Sequence, residues 1–399
     1  MSTVEATERA LDIPAEEILP RAKALAPLLR ERAVAIEENR HLPADVVAAL
    51  KETGAFRVAV ADSSGKPGLN SMEQTEVVEA LAVGDASAAW CAMIGMDTPI
   101  YAGFLDEQVA RDKFGDPDIV TAGLILPLGR ATRVAGGYQV NGRWQFGSGI
   151  THADWVVLGC FVFQGDEPEP NPRDGGPMHW RIMLAPRSEV EVIDTWHTTG
   201  LAGSGSRDYT ATDLFVPEEH SFTLALPRME GPLATAESIL RNMPGVPLGV
   251  ARAALDYVRD MAMTRVDRAT DTPWAENYRI QMGIAQAEME LGAARDAVYG
   301  SLRRQWEWLE AGVEMTADQR VETVLARVNA FRVARSVVQR MYDLITTSAI
   351  YKPSPMDRWL RDVNTMCQHV IAQDQILQSV GAHLLGGTPQ NPFSLGFVA

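Results

Sequence analysis

Cysteine is scarce in this chain: Cys91, Cys160 and Cys367 are the three among 399 residues. None belongs to a C-x-x-C pair and no histidine cluster stands beside them, which excludes a disulfide framework and leaves metal ligation without a ligand set. Long apolar runs are missing too. Nothing approaches the roughly 20 residues that span a bilayer, and Met1 to Leu11 carries acidic residues where a leader would carry an apolar stretch. The expectation is a cytoplasmic chain with no membrane partner. Basic charge is in short supply, with 36 Lys and Arg against 52 Asp and Glu, and the formal charge of -16 repels nucleic acid. Finally, no G-x-G-x-x-G follows a strand and opens a helix, so the chain has no evident NAD(P)H-binding lobe.

What is present is ample material for a core, since 46% of the residues are hydrophobic and 22% charged. Apolar residues recur at helical spacing through Ile18, Ala22, Leu25 and Leu29, and Pro43 and Gly54 frame a second helix. Ser71 with Gln74 reads as a capping box opening a third, and Ala86 to Phe104 as a fourth. From Ile119 the texture turns to strands: Gly136-Gly137 separates two of them, Trp155 to Phe163 is a β-prone run, and Val216-Pro217 closes the region. After Pro247 four long helical segments follow, over 248–268, 274–311, 317–351 and 356–385, with Thr316 and Gln319 as a second capping box. The expected architecture is α+β, divided into an N-terminal α-helical domain (1–117), a middle β domain (118–230) and a C-terminal four-helix bundle (231–399).

Three segments narrow the fold. Gly136-Gly-Tyr-Gln-Val-Asn-Gly-Arg-Trp-Gln-Phe-Gly-Ser-Gly-Ile-Thr-His-Ala-Asp-Trp155 places small residues and a hydroxyl in one turn. Asp194-Thr-Trp-His-Thr-Thr-Gly-Leu-Ala-Gly-Ser-Gly-Ser206 is a second glycine-bearing stretch, and Arg361-Asp-Val-Asn-Thr-Met-Cys-Gln-His-Val370 lies near the carboxyl end. Together they resemble the acyl-CoA dehydrogenase superfamily, and within it the reduced-flavin-dependent two-component monooxygenases (group D), such as the seco-steroid phenol hydroxylase and hydroxyphenylacetate hydroxylase oxygenase components. True dehydrogenases of this fold commonly carry a glutamate base where this chain has Val370, and a valine cannot abstract a proton. His369 matches the histidine of the hydroxylases.

The resemblance implies an oxygenase component that receives reduced flavin, FMN or FAD, from a separate NAD(P)H:flavin reductase. With O2, through a C4a-hydroperoxyflavin, it hydroxylates a small aromatic or polycyclic substrate, and the assembly is a homotetramer. It implies His369 and Ser148 as catalytic residues. The implied cofactor-binding set is Trp90, Gly123, Leu124, Ile125, Phe146, Gly147, Ser148, Arg265, Thr347, Ser348, His369 and Val370, with Arg265 reaching the phosphate region across a subunit boundary. Substrate-pocket candidates are Met93, Met96 and Asp97; phenol hydroxylases have a histidine where this chain has Asp97, and a carboxylate there suits a cationic or hydroxyl-rich substrate. Each of these residues has a plainer reading as core packing, a turn serine, a surface arginine or a helix cap. His41, His179, His220 and His383 read as surface or turn residues. Alternatives are an N- or S-oxygenase, an acyl-CoA dehydrogenase with a displaced base, and a non-catalytic flavin-fold protein.

Overall fold

The computed structural model describes residues 13–60, 68–172, 175–176, 178–267 and 269–390. Helix α1 (Ala15–Asn39) buries Ile18, Ala22, Leu25, Leu29, Ala33 and Ile36, the face that the three-and-four spacing puts on one side. Helix α2 (Ala44–Thr53) runs between Pro43 and Gly54, the latter in the left-handed region at φ 78°. Helix α3 (Ser71–Gly84) is opened by Asn70 and Glu73, one residue before the expected capping pair. Gln74 turns inward instead and donates to the Leu69 carbonyl at 2.7 Å. The single segment expected over Ala86 to Phe104 is two helices, α4 (Ala86–Gly95) and α5 (Thr98–Ala102), because Pro99 cannot continue the first. Helix α6 (Glu107–Phe114) follows.

The strands are β1 (Thr121–Val134), β2 (Gly137–Gly147), β3 (Trp155–Gln164), β4 (Glu167–Pro168), β5 (Trp180–Pro186), β6 (Glu191–Ile193), β7 (Arg207–Pro217) and β8 (Ser221–Phe222). Val216-Pro217 therefore does not end the sheet, since β8 adds to β5 beyond it. The order is β6-β7-β2-β1-β3-β5-β8 with β4 on β3, antiparallel except for β1 and β3. Between Leu124 and Gly129 the β1–β3 register jumps, five residues of one strand against two steps of the other. Pro127, which has no N–H to give a ladder, lies in this bulge. The bulge crosses directly over Gly159, where a Cβ would meet the Ile125 carbonyl at 2.0 Å, so only glycine fits. It pushes Leu124 to Leu126 away from the sheet and toward the helices.

Helices α7 (Gly245–Thr264), α8 (Tyr278–Glu310) and α9 (Ala317–Leu344) complete the bundle, α9 opened by the expected Thr316/Gln319 box. The fourth expected helix is broken into α10 (Met356–Met366) and α11 (Asp374–Leu384), and the break carries His369 in extended geometry at φ -63°, ψ 141°. Helices from both ends of the chain share one apolar core, in which Leu29, Leu50, Leu81, Val250, Phe331 and Met341 are fully buried. The sheet keeps its own core around Trp144, Tyr138 and Tyr209. His179 belongs inside, not at the surface: it is 5% exposed, with Nδ1 3.1 Å from Glu169. Among the described residues, no helix is long and apolar enough to cross a membrane and no group of His, Cys, Asp and Glu could hold a metal ion. The three cysteines are buried and free.

Candidate active site

The last residues of β2 include Phe146, a non-glycine residue at φ 62° that is 57% exposed and meets Trp196 edge-on at 6.3 Å. Gly147 and Ser148 follow, both buried. Ser148 Oγ sits at the head of a chain of short contacts. It accepts from Trp90 Nε1 at 3.1 Å and lies 2.7 Å from Ser206 Oγ, which lies 2.7 Å from Ser204 Oγ. Ser204 Oγ donates to the Leu201 carbonyl at 2.7 Å. Each hydroxyl has one proton, so this last bond sets the direction of all the others. Ser204 gives its proton to Leu201, Ser206 must give to Ser204, and Ser148 must give to Ser206. What Ser148 has left is a lone pair, and toward any further partner it is an acceptor.

Trp90 also touches the break between α10 and α11. Its ring stands edge-on to His369 with centroids 5.6 Å apart. His369 Nδ1 accepts from Ile371 N at 3.4 Å, which leaves the ring proton of the neutral form on Nε2. Burial, reinforced by the charge of Arg327, pulls the imidazole pKa down to about 4, so the ring is neutral at physiological pH. It is neither a helix histidine nor a solvent-facing one: it lines a cavity.

That cavity, of about 250 Å³, lies between the β1 bulge and the bundle. Leu124, Ile125 and Leu126 form the sheet side; Ile239, Leu240, Leu302, Val370, Ile371 and Ile376 extend the apolar surface, and Arg241, Arg327 and Thr323 are among its polar members. Gly123 stands just behind at φ 119°, and the next amide, Leu124 N, donates to Tyr209 OH at 2.7 Å. Of the implied cofactor set, then, Trp90, Leu124, Ile125, Ser148, His369 and Val370 gather around this place, with Gly123, Phe146 and Gly147 adjoining.

Two groups fall elsewhere. Met93 and Met96 are wholly buried in the core and do not line the cavity. Asp97, 2% exposed, does not line it either: it pairs with Arg241 Nη1 at 3.0 Å and accepts from Leu240 N at 3.1 Å. Burial raises its pKa to about 6, opposed by Arg241. The carboxylate expected at the pocket wall is thus turned away, and its arginine partner faces the cavity in its place. Arg265 lies at the far end of α7, whose 20 residues extend about 30 Å from the cavity end. There it donates to Ser348 Oγ at 2.6 Å beside exposed Thr347 and stacks on Trp274. These three candidates come together, but at a separate place on the chain.

Several residues at the site escaped sequence reading. Ser204 and Ser206 lie in a segment singled out for its glycines, and their hydroxyl order is a three-dimensional property. His152, which the sequence places inside the Gly136–Trp155 motif without a chemical role, is enclosed behind Gly149 with both ring nitrogens unpartnered and its pKa lowered to about 4 by burial. Arg241, Thr323 and Arg327 carry no motif. The carboxylate that does reach the cavity wall, Glu237, is held by Arg320 at 2.6 Å, which leaves a displaced dehydrogenase base without a free candidate there.

The acyl-CoA dehydrogenase N-terminal domain family matches residues 21–111 and the C-terminal domain family residues 243–374. An indole-3-acetate monooxygenase from Pseudomonas putida is 32% identical over 377 residues, 93% of this chain and 94% of that protein. The HsaA monooxygenase of M. tuberculosis superposes with a TM-score of 0.83 at 26% identity, covering 95% of this chain and 99% of its own. XiaF from Streptomyces sp., solved with FADH2 and glycerol, superposes with a TM-score of 0.84 at 22% identity, covering 98% and 100%. With a valine where a dehydrogenase glutamate would stand, a histidine beside it at the cavity, and relatives of this kind along nearly its whole length, the chain belongs to the flavin-dependent monooxygenases of the acyl-CoA dehydrogenase fold, among their oxygenase components.

Proposed function

We propose that the chain receives reduced flavin from a separate NAD(P)H:flavin reductase and, with O2, hydroxylates a small ring-containing substrate held in the cavity beside His369. The observation that carries this reading is the neutral imidazole of His369 at the wall of an apolar cavity, in contact with the Trp90–Ser148 hydrogen-bond chain. The residues fit the cofactor. Exposed Phe146 and half-buried Trp196 offer aromatic faces, the glycines beside Ser148 allow backbone to approach a flat ring, and Ser148 Oγ offers a lone pair to a ring nitrogen bearing hydrogen. N5 of reduced flavin bears one; N5 of oxidised flavin does not. Bound reduced flavin supplies the electrons that activate oxygen, and FMN and FAD both present the same ring.

The chain's own part is positional and electrostatic. Leu124, Leu126, Ile239, Leu302 and Ile371 exclude water from the reacting centre. His369, held by Ile371 N, keeps a proton on Nε2 and offers it as a hydrogen-bond donor in a dry site. Carbon hydroxylation is favoured over amine oxygenation because Asp97, the group that would have attracted a cation, is committed to Arg241. Arg265, Thr347 and Ser348, about 30 Å along α7 from the cavity, suit the phosphate end of a flavin bound to a neighbouring subunit, consistent with a homotetramer.

The test uses the purified chain. NADH alone should yield no oxygenated product; NADH, flavin and an added flavin reductase should yield it from a panel of small aromatics. Equal turnover without the reductase, or none with it, defeats the proposal.

A further inference from the structure

Charge on the cavity wall is unbalanced. Four charged side chains line it: Glu237, Arg241, Arg320 and Arg327. Glu237 holds Arg320, and Asp97 holds Arg241 from behind, at 3.0 Å. Those pairs cancel. Arg327 makes no hydrogen bond or ion pair with any described residue, and its Nε is completely buried. Burial pulls its pKa down to about 10, so the guanidinium is still charged at neutral pH. A charge enclosed without a partner destabilises the fold that encloses it. In a chain with a formal charge of -16, none of the described carboxylates pairs with it.

The neighbours of Arg327 are donors. Thr323, one turn earlier on the same face of α9, has a buried Oγ1 with no partner, and Arg241 has a buried Nη2 in the same condition. Opposite them the wall is aliphatic. The cavity of about 250 Å³ exceeds the roughly 150 Å³ that holds a benzene ring, leaving room for one or two fused rings with a short side chain.

We propose that Arg327 is the anion anchor of the substrate site, so that the substrate is a small aromatic acid whose carboxylate pairs with its guanidinium while the ring lies on the aliphatic wall beside His369. Thr323 Oγ1 and Arg241 Nη2 complete the donor set. The inference rests on the cavity being the substrate site of the proposed oxygenase. A carboxylate suits the site better than a phosphate, because its single charge matches the single unpaired guanidinium and its two oxygens match the guanidinium fork.

The test is equilibrium binding to the full chain without flavin or reductant, read by tryptophan fluorescence. The probes are indole-3-acetate and phenylacetate, each against its neutral amide. The wild type should bind each acid roughly ten- to a hundredfold more tightly than its amide, as one charge-assisted hydrogen-bonded pair provides. Arg327→Met should erase that preference, the acid losing far more affinity than the amide, and should melt at or above the wild-type temperature because an unpaired buried charge is gone. Arg327→Lys decides the matter should the methionine variant fail to fold: a preference reduced about tenfold by loss of the fork supports the anchor, and an undiminished one overturns it. Equal wild-type affinity for acid and amide, or a preference surviving in Arg327→Met, also overturns it. Turnover with an added flavin reductase separates the two readings. Oxygenation of neutral aromatics with no acid preference sinks the anchor alone; Arg327-dependent acid binding with no oxygenated product sinks the oxygenase reading alone.

Discussion

The site is enclosed by two walls built on opposite principles. On the sheet side one polar chain is complete: Trp90, Ser148, Ser206, Ser204 and the Leu201 carbonyl are joined in one direction, and each hydroxyl proton has a place. On the bundle side they are incomplete, with Arg327 Nε, Arg241 Nη2 and Thr323 Oγ1 buried and unpartnered. A complete network is rigid and fixes the polarity of whatever it touches next, here an acceptor lone pair. An incomplete one carries a cost in the free protein that a bound molecule can remove. On the proposed reading the sheet side meets a partner that is always the same, the flavin ring, and the bundle side meets the substrate.

His369 stands between the walls, so its loss should have the largest effect. His369→Ala is expected to lower the rate of oxygenated product formation by about 10²- to 10⁴-fold, the range for removal of a positioned proton-handling group. Reductant should still be consumed, with hydrogen peroxide accumulating. Coupled product and peroxide assays with an added reductase check this, and unchanged coupling in the variant would detach His369 from the reaction.

Next comes the buried ion pair behind the bundle side. Asp97 and Arg241 are 3% and 1% exposed, and removing one partner of a buried pair strands the other. Asp97→Asn should destabilise the chain by about 3–5 kcal/mol, visible in chemical denaturation. Arg327→Met, which deletes a charge that never had a partner, should not. If both variants lose stability alike, the distinction between a paired and an unpaired arginine on this wall fails.

The sheet side is tested by breaking its direction. In Ser206→Ala the Ser148 proton is released, and Ser148 becomes able to donate to an oxidised flavin nitrogen. Oxidised FMN should then bind more tightly and the preference for reduced over oxidised FMN should fall about five- to tenfold, the worth of one neutral hydrogen bond. Anaerobic and aerobic titrations measure the two constants. A variant that merely loosened the turn would weaken both forms together.

These walls were unequally legible before the fold was known. The Trp155 to Phe163 run, the Phe146-Gly-Ser-Gly149 turn and the Thr316/Gln319 cap are local signals, and local geometry follows from them. The β1 bulge is not local, because it depends on which strand lies beside Ile125 and on Gly159 lying beneath it. The break around His369 has no Pro or Gly in residues 367–373 to announce it, and reads as continuous helix. Asp97 after a helix end looks the same whether it faces a cavity or an arginine 144 positions away. Arg320 and Arg327 sit on α9 with Arg332, Arg335 and Arg340, and nothing in the one-dimensional pattern distinguishes the two that reach the cavity. Residues whose meaning lies in a missing partner are invisible until all the other partners are placed.

The smallest effect connects the two walls through His369. Its pKa is held near 4 first by burial and then by the charge of Arg327, against about 6.5 for an unburied imidazole. A histidine whose folded pKa is depressed contributes full stability above its unfolded pKa, and that contribution is lost as pH falls from about 6.5 toward 4, where only the unfolded chain takes the proton. Arg327→Met removes the smaller cause and leaves the larger, so the His369 titration followed by NMR should move upward while staying well below its unfolded value. In the wild type a bound aromatic acid should move it the same way, because a carboxylate paired with Arg327 screens the same charge. The neutral amide should not. A titration that ignored both the substitution and the acid would place Arg327 too far from His369 for the substrate to bridge them, and would return the bundle wall to plain packing.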